Sequence, residues 1–284
     1  MLQLKNLKKS FGTRAAVDGL SIDVRRGEVY GLLGPNGAGK TTTINMAIGL
    51  LAPDSGSVEL QANGNAGAPT DPQLRRFLGV ATQALALYDD LSAEENLRLF
   101  GTLYGLKGSD LAGAARAALD RVGLADRARD RVKPFSGGMK RRLNLAIAFV
   151  HNPELILLDE PTAGVDPQSR NNILGQVRGL AAEGRTIIYT THYMEEASRL
   201  CHRVGIIDHG KLLAEGTVDE LIRAHGGRSA VVAERDGQTE RIESSDPLSD
   251  ISRLLEEGGV REVRIERPDL ESVFLSLTGR SLRD

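Results

Sequence analysis

One octapeptide, Gly34-Pro35-Asn36-Gly37-Ala38-Gly39-Lys40-Thr41, constrains this 284-residue chain more than any other feature, because it satisfies the spacing G-x-x-x-x-G-K-[ST]. Its glycines let backbone N–H groups curl around phosphate oxygens, and a helix that follows adds its positive N-terminal end. Lys40 would reach terminal phosphates, Thr41 would offer a hydroxyl to Mg²⁺, and Thr42 completes the phosphate-binding set. The flanks agree with this reading. VYGLL before the loop reads as a strand, while Ile44, Ala47, Ile48 and Leu51 recur at helical spacing until Pro53-Asp54-Ser55-Gly56 stops the run.

A nucleoside triphosphate with Mg²⁺ needs a carboxylate at the end of a neighbouring strand, and Leu155-Ile156-Leu157-Leu158-Asp159-Glu160 supplies one. Four apolar residues bury the strand, so Asp159 emerges at its carboxyl end, where ligands bind in open α/β sheets. Asp159 is assigned to the Mg²⁺ shell. Glu160, one residue farther, is placed to orient or deprotonate the attacking water.

Further short apolar strands fall at 154–159, 186–190 and 204–208, with helical runs between them, which predicts an α/β fold with a largely parallel sheet covered on both faces. Residues 61–72, rich in Gly, Asn, Ala and Pro, read as a surface excursion before the strand FLGVATQ. From 93 to 122 the pattern is helical, so a helical subdomain at about 85–150 is expected inside the α/β core. Gly226-Gly227 marks the expected boundary between a domain over 1–225 and a small α/β appendage over 226–284. The appendage should hold a hairpin around Asp236-Gly237, a helix, a strand and a last helix with Leu270, Val273, Phe274 and Leu277 on one face, packed within the appendage or, as the alternative, against a second copy.

The formal net charge of −2 gives no concentrated positive field, so no nucleic-acid partner is expected. Aromatics are 4% with no Trp, which disfavours base-stacking platforms and makes an aromatic beside a site informative. No apolar stretch approaches the ~20 residues of a membrane span, and Lys5, Lys8 and Lys9 interrupt any secretory signal. Cys201 is the single cysteine and reads as a small core residue; His151, His202 and His209 read as structural or surface groups.

Taken in order, these motifs resemble those of the ATP-binding subunit of an ABC transporter over roughly residues 1–220. Phe135-Ser136-Gly137-Gly138-Met139 is similar to the family's LSGGQ signature, with Met139 lacking the usual Gln side chain and Phe135 replacing Leu. The resemblance implies a P-loop NTPase core of ABC type, with ATP and Mg²⁺ as cofactors. It further implies that Ser136, Gly137 and Gly138 bind the γ-phosphate of ATP held by a second, head-to-tail copy. By the same resemblance Gln83 is the Q-loop glutamine near Mg²⁺ or the attacking water, Asp166 belongs to the D-loop, His192 is the switch histidine at the γ-phosphate, and Phe11 stacks on adenine. In the D-loop, Ala163 stands where Ser is usual. Residues 267–280, RPDLESVFLSLTGR, resemble the ending of daunorubicin-resistance-type export ATPases. The implied function is ATP hydrolysis that powers export of a drug-like, lipid or polysaccharide substrate. A separate integral membrane permease would be the partner, at the cytoplasmic face of the membrane. The alternatives are an importer ATPase, a soluble ABC-type ATPase acting on nucleic acid or ribosomes, and an ATP-switched binding module with negligible turnover.

Overall fold

The computed structural model describes residues 1–235 and 237–279; Asp236 of the expected hairpin turn and Arg280 of the tail motif lie outside them. In chain order the elements are β1 Leu2–Phe11, β2 Arg14–Val24, β3 Val29–Leu33, α1 Lys40–Ala47, β4 Ser55–Ala62, β5 Asn65–Gly67, α2 Pro72–Arg75, β6 Leu78–Ala81, α3 Ala93–Leu103, α4 Gly108–Arg121, α5 Gly137–Phe149, β7 Leu155–Asp159, α6 Pro167–Ala182, β8 Thr186–Thr191, α7 Met194–Leu200, β9 Arg203–Asp208, β10 Lys211–Gly216, α8 Val218–His225, β11 Ser229–Arg235, β12 Gln238–Ser244, α9 Pro247–Glu257, β13 Val260–Glu266 and α10 Leu270–Thr278. They form two compact units, Met1–Glu215 and Gly216–Asp284.

The first unit is built on a six-stranded sheet of order β10-β9-β3-β8-β7-β6, in which β3, β6, β7, β8 and β9 pair in parallel. Because side chains alternate across a strand, each apolar run serves two cores at once. Val29, Ile156, Leu158, Ile187 and Tyr189 face one core with Leu97, Leu119, Leu143 and Ile173 from α3 to α6. Tyr30, Leu32, Leu155, Leu157 and Ile188 face the other, which α1 shares through Ile44 and Met46. An antiparallel sheet of order β2-β1-β4-β5 closes that second core with Leu2, Leu4, Leu20 and Ile22.

The helical insertion begins as the sequence pattern requires: Ser92 caps α3 and Glu95 reaches back, a reciprocal capping box. It is not a detached body, since α5 runs back beneath the sheet and shares one core with β7. Residues 61–72 correct the sequence reading. They are not simply an excursion, because β4 turns through Asn63 and Gly64, both with positive φ, and β5 pairs antiparallel with it. An Asn-Gly pair between extended segments is a strong hairpin signal.

The second unit has a sheet of order β12-β11-β13, with Leu254 of α9 packed on Val231 and Ala233. Leu270, Val273 and Phe274 of α10 are buried and Leu277 is half-buried; α10 packs on α8, whose Leu221 is also buried. That packing draws α8 into the second unit and moves the division ten residues upstream of the expected boundary.

Candidate functional site

Parallel register brings the loop ends together. Leu33 of β3 pairs with Thr191 of β8, Asp159 of β7 with Thr190, and Ala81 of β6 with Leu158. The segments that leave these four strands therefore emerge on one edge, and they carry the 34–42 loop, Gln83, Glu160 and His192.

In the loop, Gly39 has φ 106, and a Cβ there would run into the Ala16 carbonyl oxygen, so only glycine suits the position. Gly39 is also the N-cap of α1 and brings no side-chain acceptor. The first intrahelical bond runs from Thr43 N–H to the Gly39 carbonyl, which leaves the preceding amides of Lys40, Thr41 and Thr42 for a ligand. An uncapped helix start with a buried lysine fits a polyphosphate. Lys40 is 5% exposed; its Nζ donates to the Gly34 carbonyl at 2.7 Å and the Pro35 carbonyl at 3.1 Å. Asn36 and Gly37 are exposed at the loop apex, and Ala38 is buried beneath it.

Glu160 is the centre of the edge. Its Oε1 lies 2.9 Å from Lys40 Nζ, and its Oε2 accepts from Gln83 Nε2 at 3.4 Å and lies 3.3 Å from His192 Nδ1. Burial alone would raise the Glu160 carboxyl, but hydrogen bonding and charge from Lys40, with His192 adding, hold it below the ordinary carboxylate value. Glu160 is thus an ionised acceptor, suited to take a proton or orient water. Its φ of 45° places a non-glycine residue in the left-handed region, directly before Pro161.

Asp159 is buried, and its Oδ1 accepts from Thr190 Oγ1 at 2.6 Å. Thr41 is exposed on the first turn of α1. Among the described residues no group of three or more His, Cys, Asp or Glu side chains would hold a metal alone. The donor set, one carboxylate from Asp159 with neutral oxygens from Thr41 and Gln83, fits Mg²⁺, which is held through one or two carboxylates and completes its shell with phosphate and water.

Sequence reasoning missed the groups that hold these residues in place. Thr190 also accepts the Glu160 N–H at 2.9 Å, bridging the two acidic residues. Arg141 of α5 donates to the Gln83 carbonyl at 2.6 Å, and Asn144 donates to the Thr82 carbonyl at 3.2 Å, so the helix that starts at the signature grips the Gln83 segment. Burial lowers the Arg141 pKa, while Asp159 and Glu160 oppose that shift. Polar side chains at the end of the apolar strand TIIYTT were the available signal for Thr190.

Phe11 is 56% exposed, so it is not a core residue. It pairs across the β1–β2 turn with Arg14, whose guanidinium reaches toward Gly37 at the loop apex. Ser136 caps α5 by accepting the Met139 N–H at 3.2 Å; Ser136 and Gly137 are exposed and Gly138 is buried. A Cβ on Gly138 would collide with Ser169 Oγ, which binds the signature turn closely to α6. Asp166 is the N-cap of α6 and accepts from Ser169 N–H at 2.9 Å and Ser169 Oγ at 2.7 Å, bonds that lower its carboxyl pKa. None of the described hydrogen bonds or ion pairs joins Ser136, Gly137, Gly138 or Asp166 to the 34–42 loop of the same chain. The described bonds thus join one cluster, Lys40, Gln83, Glu160 and His192, and Ser136, Gly137, Gly138 and Asp166 form a second set at the starts of α5 and α6.

Comparison with known proteins places the geometry in context. Residues 17–163 match the family model described as ABC transporter. The chain is 41% identical to the linearmycin resistance ATP-binding protein LnrL of Bacillus subtilis (strain 168), over 100% of both chains. It is 39% identical to the daunorubicin resistance ATP-binding protein DrrA3 of Streptomyces coeruleorubidus, over 97% of this chain and 95% of that one. Among solved structures it resembles the dimeric, post-hydrolysis ATP-binding cassette MJ0796 bound to ADP and Pi, with a TM-score of 0.68, 26% identity, and coverage of 76% of this chain and 98% of that one.

Proposed function

The chain belongs to the ABC transporter family as an exporter-type, ATP-hydrolysing ATP-binding subunit, and from that premise we propose how its residues share the work. Two copies associate head to tail. Each ATP lies between the 34–42 loop of one copy and Ser136, Gly137 and Gly138 of the other. The observation that carries this reading is that Lys40 and Glu160 meet at 2.9 Å, while Ser136 and Gly137 are exposed and none of their described hydrogen bonds reaches the 34–42 loop of the same chain.

In each site Phe11 stacks on the adenine, and the loop amides and the start of α1 hold the phosphates. Lys40 neutralises the terminal phosphate charge, Asp159, Thr41 and Gln83 hold Mg²⁺, and Asp166 lies at the junction between copies. The bound Mg²⁺ supplies charge neutralisation at the phosphates. Glu160 orients the attacking water and takes its proton, and His192 stabilises the γ-phosphate. A polyphosphate that reaches Lys40 competes with Glu160 for the same ammonium, so ATP binding frees the carboxylate for water.

Closure and reopening of the two sites drive a separate integral membrane permease docked near Gln83 and the α3–α5 insertion, at the cytoplasmic face of the membrane. No helix of the described residues is long and apolar enough to cross a membrane. The names of LnrL and DrrA3 support a drug-like cargo. The test is reconstitution of the chain with its permease in vesicles. ATP-dependent drug movement that Glu160→Gln abolishes is expected; phosphate release with no drug movement would refute the transport reading while leaving the ATPase intact.

A further inference from the structure

Glu196 is a carboxylate with 3% exposure on α7, outside the set of residues that meet ATP. A buried carboxylate is costly unless its lone pairs are used. Its Oε2 accepts from three hydroxyls: Thr162 Oγ1 at 3.0 Å, Tyr189 Oη at 2.9 Å and Thr191 Oγ1 at 2.9 Å. Its Oε1 faces Arg170 Nε of α6 at 3.5 Å, an ion pair without a hydrogen bond. The Arg170 guanidinium also lies 4.3 Å over the Tyr193 ring.

The chain positions of these donors carry the inference. Thr162 is two residues after Glu160, and Thr191 is immediately before His192. Thr191 Oγ1 in addition accepts the Tyr193 N–H at 2.9 Å, so the turn on both sides of His192 is fixed. Glu160 needs such a hold. Its left-handed backbone before a proline is strained, and a conformation of that kind persists only where its surroundings over-determine it. On the N-terminal side Thr190 fixes Asp159 and the Glu160 amide. On the C-terminal side the anchor is Thr162, and what Thr162 binds is Glu196.

We propose that Glu196 is a positioning residue for ATP hydrolysis: its buried carboxylate fastens the Glu160 segment to the His192 segment and, through Arg170, both of them to α6. The inference rests on Glu160 and His192 having the roles proposed above. Because Ser169 of α6 packs on Gly138, the same fastening carries any shift of the signature turn to the Glu160 carboxylate of its own chain. Glu196 is buried, and none of its described bonds goes to a residue assigned to the nucleotide, so its loss acts on the chemical step and leaves ATP binding in place.

The test uses the full-length chain, with steady-state phosphate release and equilibrium ATP affinity measured for the wild type, Glu196→Gln, Thr162→Val and Thr191→Val. Glu196→Gln keeps the shape but loses the charge and acceptor strength; kcat should fall about 10- to 100-fold with KM and Kd for ATP changed less than about threefold. Thr162→Val and Thr191→Val cut one arm each and should lower kcat about 3- to 10-fold, whereas Thr162→Ser and Thr191→Ser, which keep the hydroxyl, should restore it. If Glu196→Gln does not fold, the threonine pairs decide. Valine variants with kcat within twofold of wild type, or a loss seen in ATP affinity instead of kcat, would overturn the proposal. A wild-type chain without ATP turnover would overturn the hydrolytic reading on which it rests, a different outcome.

Discussion

Replacing Glu160 by Gln changes one charge in a nearly solvent-free pair, and the structure sets both the sign and the size of two effects. Lys40 Nζ loses the carboxylate at 2.9 Å but keeps the Gly34 and Pro35 carbonyls at 2.7 and 3.1 Å. Removing one partner of a buried ion pair costs about 3–5 kcal/mol. With two carbonyls and the new amide oxygen still available, the cost should fall just below that range, to about 2–3 kcal/mol. For a unit of this size each kcal/mol lowers Tm by about 2–4 °C, so a fall of about 4–12 °C is predicted without nucleotide. With ATP the order reverses, because the phosphates supply the missing negative charge and no longer displace Glu160. ATP affinity should therefore rise, by up to about 30- to 150-fold if the whole 2–3 kcal/mol is recovered. Turnover should fall about 10²- to 10⁴-fold, and the closed dimer should accumulate. Thermal unfolding with and without MgATP, equilibrium binding and phosphate release measure the three quantities on one sample. Unchanged hydrolysis would refute the role of Glu160 in activating water. Unchanged or weaker ATP binding would refute the competition between Glu160 and phosphate for Lys40.

Lys40→Ala removes the phosphate ligand and strands Glu160, whose carboxyl pKa should then rise; ATP affinity should drop by at least about tenfold, and normal affinity in that variant would count against the phosphate-loop assignment. Phe11→Ala should weaken ATP binding by about 1–2 kcal/mol, a typical loss for stacking on a base, with an unchanged Tm because the ring is exposed; equal affinity would remove Phe11 from the site. His151 predicts an acid-side loss of stability. Its Nε2 donates to the Leu78 carbonyl, its ring stacks on Tyr104 at 3.5 Å, and burial lowers its pKa to about 4. The unfolded chain takes up the proton near pH 6.5 while the folded chain does not until about pH 4, so stability should decline by on the order of 3 kcal/mol as pH falls across that window. Denaturant unfolding of His151→Gln should show a flatter pH dependence there, and an unchanged slope would refute this origin.

The parts of the site that chemistry requires to be contiguous were legible in sequence, and those that long-range register supplies were not. Gly34 to Thr42 is a local solution to a local problem, so spacing alone reveals it. Asp159 and Glu160 were readable because four apolar residues fix which end of the strand is polar. The Asn63-Gly64 turn was equally local and was overlooked because the small residues around it mask the three-residue strand β5. Glu196 belongs to a different class. In the run MEEASRL it sits beside Glu195, which is exposed, and nothing in the pattern separates the two. Its meaning arises when β7 and β8 pair Asp159 with Thr190, which brings Thr162, Tyr189 and Thr191 to one buried point. Two of those hydroxyls had sequence signals, as polar residues next to apolar strand ends, but their common acceptor is fixed only by the placement of α7. The same logic applies to Arg141, which reads as one charge in Lys140-Arg141-Arg142 and becomes the donor that fixes Gln83 when α5 crosses β6. Residues assigned to ATP are thus specified by motif, while residues that set their angles are specified by topology. Substitutions at Glu196 and Arg141 should accordingly change turnover before they change nucleotide affinity.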